Sequence, residues 1–139
     1  MQSMIEILAR ELGRDPIHVE NVVKLIDDWS DNTEYPGYQM LVRGDIMRGR
    51  YRRSFSAPEP FTPGEPTEVA FTMPDIAHTF RKGHRIMVQV QSSWFPLADR
   101  NPQQFVDIYR CAASDFIPCD VRIYHDRRRP SRLEVLRLR

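Results

Sequence analysis

A chain of 139 residues, 41% of them hydrophobic, suits one domain with a core of its own. Twenty basic against nineteen acidic side chains leave a net charge of +1, so no global field argues for nucleic acid or an anionic membrane as partner. Cys111 and Cys119 are too few to make a disulfide framework, and no apolar run reaches the roughly 18 residues that would span a bilayer.

In chain order, the first segment reads as a helix. Met4, Ile5, Leu8 and Leu12 fall on one stripe across residues 3–13, and Gly13 is a stop signal. Pro16 ends any helical continuation, so residues 1–21 are predicted as a helix and linker. Val23 and Leu25 then alternate about Lys24, and Asp27, Asp28, Asp31 and Asn32 predict a polar turn.

From Tyr38 the spacing is repeatedly that of strands. Tyr38, Met40 and Val42 alternate with Gln39, Leu41 and Arg43; Val69, Phe71 and Met73 alternate with Glu68, Ala70 and Thr72. Ile86, Val88 and Val90 share one face, Val121 and Ile123 flank Arg122, and Leu133 with Val135 closes the series. Period-two burial arises because successive side chains of a strand point to opposite sides of a sheet. Pro58-Glu59-Pro60, Pro63-Gly64-Glu65-Pro66, Lys82-Gly83 and Asn101-Pro102 supply turns, and residues 102–109 predict one brief helical turn. The whole predicts an all-β sandwich or jelly roll.

The chemistry such a scaffold carries is sparse. No G-x-S-x-G elbow is present, and Ser54, Ser92 and Ser93 have bulky neighbours where an exposed nucleophile needs small ones. Asp75 and His78 are close enough in sequence for a carboxylate to orient an imidazole, but an aspartate after Met73-Pro74 is expected to cap its own turn. His78 and His84 lack a third metal ligand, and Asp27, Asp28 and Asp31 lack the spacing of a calcium loop, which makes a solvated turn the default. Arg43-Gly44-Asp45 spells an adhesion tripeptide but is expected to be a turn at a strand end. The seven arginines of residues 122–139, set against Asp126 and Glu134, read as a solvated tail rather than a polyanion site. No catalytic, metal or cofactor residue is therefore assigned.

The distinctive stretch is Gln89 to Pro96, followed by Asp99-Arg100-Asn101-Pro102. Trp94 and Phe95 leave a strand together, and with Asp99, Arg100 and Asn101 they fit either plain core with a surface turn or an aromatic contact with a neighbouring domain.

Here the sequence resembles a known family. The run from Tyr38 to Arg52 is similar to the C-terminal domain of the X-Pro dipeptidyl-peptidase-like hydrolases, in the branch of cocaine esterase, glutaryl-acylase and α-amino-acid ester hydrolase. Ser54-Phe55, Pro58 to Phe61, Pro63-Gly64, Asp75, His78-Thr79-Phe80, Gly83-His84-Arg85-Ile86, Gln89 to Pro96 and Asp99 to Pro102 continue the likeness, which covers residues 22–139. The resemblance implies a galactose-binding-like jelly roll that packs on an α/β-hydrolase domain and shapes its active-site entrance. Esters or amides are cleaved in that other domain, by a Ser-Asp-His triad that no position here matches. The chain itself is thus expected to be a non-catalytic accessory domain without cofactors.

Residues 1–21 show no such likeness, which predicts a sandwich lacking its first strands. An uncovered sheet edge of that kind predicts self-association. The absence of a signal-peptide pattern predicts a cytoplasmic location for the chain as given, while the resemblance leaves secretion open to full-length relatives. A stand-alone carbohydrate-binding sandwich, using Trp29 or Trp94, is the alternative of a different class.

Overall fold

The computed structural model describes residues 3–12, 20–29 and 33–135. Seven strands run through them: β1 (Ser3–Leu12), β2 (Glu20–Asp28), β3 (Gln39–Arg48), β4 (Thr67–Met73), β5 (Arg85–Gln91), β6 (Asp120–Ile123) and β7 (Arg132–Glu134). The helical content of the described residues is two short 3₁₀ turns, Gly49–Tyr51 and Ala113–Asp115.

All pairing is antiparallel. One sheet has the order β4-β1-β6, with β7 also on β1; the other has the order β3-β2-β5. β6 and β7 are two parts of one neighbour of β1. Ile123 stands opposite Ala9, Arg132 opposite Glu6, and residues 124–131 loop out between them. The β2–β3 register slips by one residue at Leu25/Ile26, because Arg43 pairs with Leu25 and Leu41 with Ile26. Val42 is the extra residue, a bulge that bends β3.

The core lies between the sheets. Val23, Phe61, Val69, Phe71 and Met73 are buried together, with Met47, Val90, Val121 and Leu133 packed around them. Val69, Phe71 and Met73 are the predicted alternate positions of β4, and Val90 is that of β5. Burying a Val or Phe side chain of this kind is worth about 1.5–3 kcal/mol. Val22 and Ile26 point to the opposite side of β2 and are buried as well. That second face is covered by the segment after β5, where Trp94 lies against Gly44 and under the Lys24 ammonium group, 4.4 Å from the ring centre.

Three expectations need correction. Residues 3–12 form a strand, not a helix. The segment fits both periods, and what decides is pairing: Ile5 stands opposite Phe71 and Ile7 opposite Val69, so β1 takes the middle of its sheet. Residues 102–109 form bends and turns rather than a helical turn; Pro102 is fully buried and Gln103 sits at a φ of 62°, outside the helical region. Arg43-Gly44-Asp45 lies inside β3 and not at a strand end.

Candidate functional site

The aspartates expected in a solvated turn are instead the polar centre of one end of the sandwich. Asp27 and Asp28 belong to β2 and are buried. The Asp27 side chain is only 3% exposed, and its two oxygens accept hydrogen bonds from His78 Nε2 at 3.0 Å and His84 Nδ1 at 2.9 Å. A buried carboxylate needs such partners to offset its desolvation. The Asp28 carboxylate accepts from Arg85 Nε at 2.9 Å. Trp29 packs on the His84 ring at 5.3 Å and meets Tyr38 edge-on at 5.4 Å, while His78 meets Phe80 edge-on at 4.8 Å.

His78 therefore turns to Asp27 and not to its sequence neighbour Asp75, whose carbonyl accepts from Arg43 Nη2. Among the described residues no cluster of three or more His, Cys, Asp or Glu side chains is arranged for a metal. Asp31 and His18 lie outside the described residues. The missed signal was pairing: Asp27 is opposite Ile86 on β5, which brings it beside His84, the residue just before that strand. Each imidazole is committed to the carboxylate, so the arrangement ties β2 to the 78–84 segment.

The run Arg48-Gly49-Arg50-Tyr51-Arg52 has a comparable logic. The turn at Gly49–Tyr51 splays the three guanidinium groups onto the loops that follow β3 and β5. Arg48 pairs with Asp99 at 3.2 Å. Arg50 Nη2 donates to the carbonyls of Gln104 and Val106 at 3.2 and 2.9 Å, with the Phe105 ring 4.7 Å away. Arg52 donates to the carbonyls of Gly49, Glu59 and Pro60 at 2.9–3.0 Å and lies 4.4 Å over Phe61 of the core. Burial and the neighbouring Arg53 lower the Arg52 pKa, against the opposing pull of Glu59. A planar guanidinium presents several donors at once, which lysine cannot do.

Between two of these loops lies a groove of about 390 Å³, lined by Ile46, Met47, Tyr51, Phe55, Leu97 and the Arg48–Asp99 pair, among others. Phe55 and Leu97 of this lining are 81% and 69% exposed, and Phe95, next in the chain to the lining residue Pro96, is 65% exposed. Contiguous open apolar side chains of this size mark interaction surfaces on soluble domains.

The five residues expected at an interdomain contact thus divide. Phe95 is open and Asp99 rims the groove. Trp94 packs inward against Gly44, Arg100 lies 5.4 Å over Phe116, and Asn101 holds the Gln103 turn by accepting from its backbone N–H at 3.0 Å. Phe55 and Leu97 were missed, and no periodicity could have flagged them, since both sit in loops.

Comparison with known proteins matches this geometry. The family model for the X-Pro dipeptidyl-peptidase C-terminal non-catalytic domain matches residues 12–134. Cocaine esterase of Rhodococcus sp. (strain MB1 Bresler) is 39% identical over 85 residues, 61% of this chain. An aminopeptidase from a marine sediment archaeon, Thaumarchaeota archaeon, superposes with a TM-score of 0.87 at 39% identity over 95% of this chain. A selenomethionine-labelled α-amino acid ester hydrolase superposes with the same TM-score and identity. The chain spans 14% of the length of the curated esterase and 22% of either solved chain. A sandwich whose residues 12–134 match that model belongs to the X-Pro dipeptidyl-peptidase C-terminal non-catalytic domain family.

Proposed function

We propose that this domain seats on the α/β-hydrolase domain of a serine hydrolase of esters or amides and helps shape the entrance to its active site. The observation that carries the reading is the groove lined by Phe55 and Leu97, two open apolar side chains, with the Arg48–Asp99 pair beside them. Aromatic anchors around a pocket, with a charged pair at the rim, are what an interdomain contact uses. The domain's contribution is then shape and desolvation rather than acyl chemistry, because activated nucleophile and oxyanion donors supply the rate of acyl transfer. The same reading includes self-association through an uncovered sheet edge.

The test is affinity capture of the chain with its cellular partners, read by a fluorophosphonate probe that labels only active serine hydrolases. A labelled partner carrying a G-x-S-x-G elbow is expected, and its loss with the Phe55→Ser/Leu97→Ser double variant assigns the groove. Labelling of the chain itself, or capture that ignores the double variant, counts against the reading. Trp94 does not favour carbohydrate binding, since its ring is occupied by Gly44 and Lys24.

A further inference from the structure

We infer that β5 is a self-pairing edge, at which two copies of this chain join their three-stranded sheets antiparallel across a two-fold axis at Val88. The inference deepens the self-association reading by naming the strand, the register and the partner. β5 pairs β2 on one side and, among the described residues, no strand on the other. Ile86 and Val88 share the face of Val90, which packs on the core, yet they are 63% and 42% exposed. Apolar residues on the inward face of an edge strand are left open only where the sheet stops short of covering them.

The other edges are guarded by charge. β3 carries Arg43, Asp45 and Arg48, β6 carries Asp120 and Arg122, β7 carries Arg132 and Glu134, and β4 carries Glu68. Charged edges resist strand addition. On β5 the single charge is Arg85, at its first position and already paired with Asp28. Two-fold antiparallel pairing always matches even-numbered positions with even-numbered ones, because the outward-pointing backbone groups alternate. Ile86 therefore meets the second copy's Val90, Val88 meets its own counterpart, and Arg85 meets Gln91. No like charges oppose one another, and the interface is isologous.

Sedimentation of the whole chain at high micromolar concentration reads the outcome. The expected species has twice the 16.4 kDa chain mass. Val88→Lys sets two ammonium groups against each other at the axis and is expected to weaken the dimer by about tenfold or more. Val88→Glu does the same alone, and an equimolar mixture of the two restores the dimer as a heteropair. Circular dichroism checks that each variant folds; should Val88 substitutions unfold it, Ile86→Lys, at a more open position, gives the deciding measurement. A monomeric wild-type chain overturns both this edge and self-association. A dimer indifferent to the folded charge variants overturns the β5 edge alone and leaves self-association standing.

Discussion

Asp27 and His84 are 57 residues apart in sequence and 2.9 Å apart in space, joined by the pairing of β2 with β5. With His78 on the other oxygen, the carboxylate cross-links a central strand to the loop that leads into an edge strand. Removing the acceptor strands two imidazole N–H groups that have little access to water. Asp27→Ala is therefore expected to destabilise the domain by about 2–3 kcal/mol, read as a lower urea midpoint at unchanged slope. Loss below half a kilocalorie would mean that water replaces the carboxylate freely.

Gly44 and Trp94 are mutually fitted. A Cβ at Gly44 would lie 2.6 and 2.7 Å from two ring atoms of Trp94, closer than real contacts allow. Gly44→Ala is expected to cost about 1–3 kcal/mol and to shift tryptophan emission to the red as the ring is pushed into water. Trp94→Leu should remove most of that penalty, so the two substitutions are expected to be non-additive.

Arg52 closes the 49–61 loop from inside, by three carbonyl contacts on one planar group. Arg52→Lys keeps the charge but loses the fork, and about 1–2 kcal/mol of stability is expected to go with it. Trypsin cleavage at Arg53, whose side chain is open, should accelerate in the variant, because the loop opens locally before the fold does. An unchanged cleavage rate would show that the loop is held by other contacts.

Asp126 holds the excursion between β6 and β7. The Arg128 backbone N–H at 2.9 Å is the largest cause lowering its pKa; desolvation opposes it, and the Arg129 side chain and backbone add to the lowering. A carboxyl lowered in the folded state contributes stability that is full above the unfolded value of about 3.9 and disappears as pH falls through the folded value. Carboxyl-detected NMR should give Asp126 a midpoint below that of an ordinary aspartate, with the 124–131 amides shifting in step. A midpoint at or above the ordinary value would remove the turn's electrostatic basis.

Strands β3 to β7 could be read directly from residues, because one-sided burial imposes a period of two that no tertiary arrangement can alter. The absence of an elbow, and with it the absence of assigned catalytic residues, also followed from sequence alone, since the strained turn tolerates few residue types. Tertiary structure decided the rest. Residues 3–12 carry both periods, and only their place between β4 and the β6–β7 neighbour makes them a strand. Asp27 and Asp28 have the composition of a turn, but the β2–β5 register buries them among histidines and arginine. The groove unites Phe55 with Leu97 across 42 residues, and the open flank of β5 exists because the sheet order of the described residues ends there. Local pattern specifies which way a side chain points; what it meets depends on which strand lies next to its own, and that is a property of the assembled sheets.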